Sequence, residues 1–278
     1  MTATARAGRP WQLEMFELSL KKRQKVGMLL ELLGSLDRQR CLLITHGDNP
    51  GSLNYHLRAA GGKWTWAELD AAGIHQMEEL LGEPVHSARI DDLPFPAGGF
   101  DRVVAVDVHE HVDDLLVLNR ELARVTAPGG MMLVTTPGGN RRLPVAVLKR
   151  WVGMDETAYG HTVQGYTAEE LEDMLRGVGL DPQARGAYSR FFTELVELAI
   201  NFMYVKVLGK RRGGGPAAGE IAPRSANDLE SVGGAYRAYR RVFPLIRAFS
   251  SLDRLIPGRG GYAVGVTAKK PAAADLRP

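Results

Sequence analysis

The sequence predicts an α/β fold built on a doubly wound, mainly parallel sheet. Short apolar runs such as Leu42-Leu43-Ile44 and Val103-Val104-Ala105 end in turn residues and read as buried strands. Segments of helical period separate them, long enough to carry crossovers between parallel neighbours. With 278 residues, 45% of them hydrophobic, the chain can bury one sizeable core plus an insertion.

The elements follow in order. "WQLEMFELSLKKRQKVGMLLELLGSL" (11–36) places Leu13, Phe16, Leu20, Met28 and Leu32 at helical spacing, with a break expected near Gly27. "RCLLITHG" (40–47) is a strand, "SLNYHLRAAG" a helix ending at glycine, "KWTWAEL" a strand and "AGIHQMEELLG" a helix. "VHSARI" is a short strand and "FDRVVAVDV" a strong one. "DDLLVLNRELARVTAPGG" is a helix closing on a Pro-Gly-Gly turn, before the fifth strand, "MMLVTTPG". Thr167 followed by Glu170 marks a capping box opening the next helix.

Ligands of such sheets bind outside the carboxyl ends of the strands, which directs attention to "THGDNPG" (45–51). Gly47 and Gly51 there allow close backbone approach, ahead of a helix N-terminus. About 20 residues further on, Glu68 ends the second strand, where a carboxylate can accept from both hydroxyls of a ribose. A strand-to-helix turn and a helix-capping acid are the competing structural readings of these residues.

The segment 88–138 carries Asp91-Asp92-Leu93-Pro94-Phe95, Phe100-Asp101, Glu110-His111-Val112, Glu121-Leu122-Ala123-Arg124-Val125 and Pro128-Gly129-Gly130. In order and spacing it resembles the class I S-adenosylmethionine-dependent methyltransferases, in particular the group that includes the quinone-biosynthesis enzymes. The resemblance implies a Rossmann-like seven-stranded sheet with its last strand antiparallel, and S-adenosylmethionine as cofactor. It implies Gly47 and Gly51 on the methionine side, Glu68 on the ribose, Ile90 and Asp91 at the adenine, and Asp107 beside the sulfonium. Thr45 stands where the family has an acid, Asn49 where it has its middle glycine, and Arg89 where many members have an aspartate. The glycine-rich motif is therefore degenerate.

A sulfonium methyl is already activated, so the protein must hold an acceptor in line, at about 3 Å, in a dry pocket. A base is needed only for an acceptor that loses a proton. His161 and His111 are the candidates, with Tyr159 and Tyr166 in reach of the acceptor because their segment follows the fifth strand. His109 is expected on the solvent side of its turn. "HEH" offers no third ligand at an evident spacing, so no metal is expected. One cysteine, Cys41, excludes an internal disulfide and reads as a buried thiol.

The chain divides into an N-terminal helical segment (1–40), a sheet domain (41–190 with 259–270), an insertion (191–258) and a tail (271–278). The sixth strand lies near "DPQARGAYS" and the last in "GYAVGVTAKK". The insertion holds an apolar helix, a Gly/Pro-rich linker (213–234) and an arginine-rich amphipathic helix expected to break at Pro244. The basic excess of a chain with net charge +3 concentrates there. It fits an anionic membrane surface, a lid or dimer contact, or a plain cover for the sheet edge. Aromatic and basic residues do not interleave as nucleic-acid modules require. With no signal peptide and no long apolar span evident, a cytoplasmic protein is expected, peripheral at the membrane if the insertion docks there.

The leading expectation is a methyltransferase (EC 2.1.1.-) acting on a small-molecule, lipid or lipid-linked glycan acceptor. The alternatives are a noncatalytic scaffold that kept the fold, and an NAD(P)-dependent oxidoreductase, disfavoured because Gly-x-Gly-x-x-Gly is missing.

Overall fold

The computed structural model describes residues 9–47, 49–154, 161–208, 226–231, 233–257 and 260–272. Helices α1 (Trp11–Glu17) and α2 (Leu20–Leu33) precede the sheet. Strands β1 (Arg40–Thr45), β2 (Lys63–Glu68), β3 (Val85–Ser87) and β4 (Phe100–Val106) follow, with α3 (Ser52–Ala59) and α4 (Ile74–Leu81) among them. Next come α5 (Leu115–Val125), β5 (Thr126–Pro137), α6 (Pro144–Trp151), α7 (Ala168–Arg176) and β6 (Asp181–Tyr188). Helices α8 (Phe191–Phe202), α9 (Ala226–Ser231) and α10 (Gly233–Ser250) form the insertion, and β7 (Ala263–Lys269) closes the sheet.

The seven strands lie in the order β3-β2-β1-β4-β5-β7-β6, and β7 runs antiparallel to both β5 and β6. The expected topology is the observed one. Alternation along the strands separates two cores. Leu42, Ile44, Val103, Ala105 and Val134 face α5 and α7, whereas Cys41, Leu43, Val104 and Leu133 face α2, α3 and α4. Cys41 is fully buried, and burial pushes its thiol up to about 11, so it is the inert thiol the sequence predicts.

Three expectations are corrected. The N-terminal helix breaks at Leu18 and Ser19 rather than at Gly27, because the Ser19 side chain accepts from Lys22 N (3.3 Å) and caps a new helix. Gly27 lies mid-helix. Pro244 sits inside a continuous α10; the carbonyl deprived of a partner can be hydrated, since Arg240 and Pro244 are both exposed. Of the expected linker, residues 226–231 and 233–234 are helical, and 213–225 and 232 lie outside the described residues.

Helix α2 sets the geometry of the rim. Gly186 of β6 and Gly265 of β7 let Met28 lie against the sheet: a Cβ at either would meet the Met28 sulfur at 2.8 and 3.0 Å. Lys21, Lys25, Met28 and Leu32 share one stripe at i, i+4, i+7, i+11. The stripe that docks α2 therefore also carries two lysines over the strand ends.

Candidate functional site

Thr45 and Glu68 are register partners at the ends of β1 and β2. The Thr45 hydroxyl donates to Glu68 Oε2 (2.6 Å), and the Gly47 and Asp70 amides donate to Oε1 (2.9 Å each). Glu68 is completely buried, and burial raises its pKa against the pull of these donors. A second carboxylate at position 45 would face it directly. Thr45 replaces that like-charge contact with a donor.

Asn49 organises the rest of the loop. Its Oδ1 accepts from the amides of Gly51 (3.2 Å) and Leu53 (3.4 Å), and its Nδ2 donates to Asn54 Oδ1 (2.5 Å). The amides at the start of α3 are thus partly satisfied from within. Gly51, at φ 93°, could not carry a Cβ without meeting the Met77 backbone at 3.2 Å. Its requirement is close packing of the loop on α4.

Asp107 follows β4 in a left-handed conformation, φ 51°. Its Oδ1 accepts from the Thr135 hydroxyl (3.1 Å), and its Oδ2 pairs with the Lys25 ammonium. Burial alone would raise this carboxyl, but Lys25, with Lys21 and the Thr135 hydroxyl, holds it below the usual range. Lys25, Thr45, His46, Asn49 and Asp107 line a cavity of about 40 Å³. That space holds only a few waters.

The turn after Asp107 gathers the histidines. Glu110 is fully buried, with Oε2 accepting from the Thr136 hydroxyl (3.1 Å) and Oε1 without a hydrogen-bond partner among the described residues. Burial, then the Asp107 charge, raise its pKa well above the ordinary value. The His111 ring stacks on His46 at 4.5 Å and meets His161 edge-on at 4.8 Å. Burial and the neighbouring His111 push His161 down to about 3. Donor atoms of Glu110, His111 and His161 all lie within 4.8 Å of one another, so the segment after β5 brings its histidine against the turn after β4, while His109 stays outside the cluster.

His109 is buried rather than facing solvent. One of its ring nitrogens meets Asn119 Oδ1 (2.9 Å) on α5, and burial lowers its pKa to about 4. Tyr166 lies at the β5 end, its amide donating to the Pro137 carbonyl (3.1 Å). Asp91 pairs with Arg89 (2.8 Å) on the outer edge, next to Ile90, which packs on the core. Tyr159 lies outside the described residues.

Lys25, His46 and a buried ion network were not singled out by the sequence. Fully buried Glu194 of α8 pairs with Lys149 of α6 (2.5 Å) and Lys21 of α2 (2.7 Å), and accepts from the Ser189 hydroxyl (2.5 Å). Burial would raise Glu194, yet the two ammonium groups bring it down to about 2. His46 follows a strand end directly, a signal that was available. Glu194 shows only as an acid interrupting an apolar helix, and Lys25 has no signal, since only tertiary packing brings it to the rim.

The strand order, the glycine turn after β1 and the acid ending β2 define a Rossmann-like protein of the methyltransferase type. Residues 5–184 match the family described as "Methyltransferase domain". The chain belongs to this family, among the class I S-adenosylmethionine-dependent methyltransferases, rather than to the nicotinamide-dependent oxidoreductases. It is 33% identical over 100 residues to a malonyl-[acyl-carrier protein] O-methyltransferase of Erwinia billingiae, covering 36% of this chain and 40% of that protein. It is 27% identical over 123 residues to a ubiquinone biosynthesis O-methyltransferase of Cereibacter sphaeroides, covering 42% and 49%. The matches thus span less than half the length of each relative. Phosphoethanolamine N-methyltransferase 2 of Haemonchus contortus, solved with S-adenosyl-L-methionine, shares the fold at TM-score 0.56 and 17% identity, covering 90% of this chain and 52% of that one.

S-adenosylmethionine is the cofactor of this class. The donor set at the rim suits it: Asp107 already binds a primary ammonium, the group that ends the methionine moiety, and Glu68 ends β2. Lys25 occupies the Asp107 carboxylate in this state, so a ligand ammonium at that carboxylate would exchange with it.

Proposed function

We propose that this protein transfers a methyl group from S-adenosylmethionine to an oxygen acceptor on a small or lipid-like molecule. The observation that supports this most is the ammonium held by Asp107 beside the Glu110–His111–His161 cluster, which puts a cofactor end and a polar acceptor corner side by side. The cofactor supplies an electrophilic methyl. Asp107 would accept from its ammonium, and Glu68 has remaining lone-pair capacity for the sugar hydroxyls, since a carboxylate offers about four acceptor sites. Gly47 and Asn49 keep the loop close to the methionine side, while Ile90 and Asp91 border the adenine. His111 and His161 would orient the acceptor, and Tyr166 would border its pocket.

Calorimetry with S-adenosylhomocysteine and with NAD tests the reading. Binding of the first alone, lost in Glu68→Ala, supports it; binding of neither leaves a noncatalytic scaffold.

A specific observation favours a lipid-like acceptor. Helix α10 turns Tyr239, Phe243 and Ile246 inward and leaves Val242, Leu245 and Phe249 exposed on one stripe, with Arg237, Arg240, Arg241 and Arg247 beside it. Leu252 and Leu255 extend the stripe. Apolar side chains flanked by arginines match an anionic bilayer surface. No helix among the described residues is long and apolar enough to cross a membrane.

A further inference from the structure

We infer that Glu110, His111 and His161 bind a divalent transition-metal ion. Three observations carry the site. The donor atoms, one carboxylate and two imidazoles, converge within 4.8 Å. Ligands about 2.0–2.2 Å from a common ion stand a little over 3 Å apart, so inward movement of about 1 Å closes the set. Glu110 supplies the second observation. It is fully buried, its Oε2 is fixed by Thr136, and Oε1 has no hydrogen-bond partner among the described residues. A buried carboxylate oxygen without a partner is costly, and a cation removes that cost.

The third observation is the preparation of the two segments for one another. The Thr162 amide (2.9 Å) and hydroxyl (2.8 Å) both donate to the Glu110 carbonyl, clamping the residue after His161 onto the residue before His111. His46, stacked flat on His111, fixes the plane of that ring. Outer contacts of this kind are what orient metal ligands. Two imidazoles and one carboxylate suit zinc, iron, cobalt or nickel, whereas magnesium and calcium prefer oxygen alone.

Three protein ligands leave a coordination position open. Its use, holding the acceptor oxygen next to the cofactor, rests on the methyltransferase reading. The existence of the site does not.

The test is a Co²⁺ titration of the metal-free full-length chain, read by visible absorption, with Zn²⁺ as competitor. Saturable d–d bands from a single ion per chain are expected, with affinity at least about tenfold lower in His161→Ala and in His111→Ala. Circular dichroism checks that both variants are folded. X-ray absorption of the wild-type Co²⁺ form needs no variant and should report two imidazole ligands. Absent bands, undiminished binding in both folded variants, or a spectrum without imidazole would overturn the site. S-adenosylhomocysteine calorimetry on the same metal-free chain reports the cofactor reading separately.

Discussion

Lys25 of α2 forms an ion pair with Asp107, whose left-handed backbone follows β4. Through this contact the N-terminal helix reaches the rim at which we propose the cofactor's amino-acid end sits. On that reading a ligand ammonium would displace the lysine. Lys25→Ala is expected to bind S-adenosylhomocysteine about tenfold more tightly than wild type, about 1.4 kcal/mol, by calorimetry. Equal or weaker binding would refute the displacement.

The hydroxyl of Thr45 is one of three donors to buried Glu68. Thr45→Val keeps the shape and removes that donor, so urea unfolding should show a loss of about 1–3 kcal/mol. A midpoint unchanged from wild type would mean that the two amides suffice.

Glu194 is depressed from its usual 4.5 to about 2 by Lys21 and Lys149. A carboxyl lowered in the folded state contributes stability that is complete above its unfolded value and lost as pH falls through the folded one. The contribution, about 3 kcal/mol, should disappear between about pH 4.5 and pH 2. Urea midpoints across this window, compared with Glu194→Gln, measure it. At pH 7 the variant should lose about 3–5 kcal/mol, because both ammonium groups lose their counter-charge. Parallel pH profiles for the two proteins would exclude this network as the source.

The exposed stripe of α10 gives a vesicle test. Wild type is expected to float with phosphatidylglycerol vesicles and not with phosphatidylcholine ones. Leu245→Asp with Phe249→Asp should abolish flotation, and Arg240→Gln with Arg241→Gln should weaken it by about 2 kcal/mol, about 1 per arginine. If wild type stays in the soluble fraction with both lipids, the acceptor need not be a lipid.

The sheet was legible because buried strands leave runs such as Leu42-Leu43-Ile44, and capping chemistry marks helix starts such as Thr167 with Glu170. The strand ends were legible for the same reason, and with them the places of Gly47 and Glu68, while Thr45 and Asp107 were singled out by the family resemblance; all four lie where β1, β2 and β4 stop. Long-range contacts were not. Lys25 reaches Asp107 because α2 packs on two glycines of the last strands, and Glu194 meets its lysines across three helices. His109 misled through its flanking polar residues, since a partner ten positions on, Asn119, allows it to be buried. Pro244 misled because an exposed helix tolerates a lost internal hydrogen bond that a buried one would not.

The seat of Met28 on Gly186 and Gly265 has a consequence for biosynthesis. During vectorial translation α2 leaves the ribosome early, but the last part of its docking platform, in β7, is made more than 200 residues later. Until then the helix bearing Lys21 and Lys25 lacks half its seat, and the ion pairs with Asp107 and Glu194 hold its lysines at the strand ends. A nascent chain stalled before residue 263 should therefore give up the Lys25–Asp107 contact more readily than the chain with β7 in place.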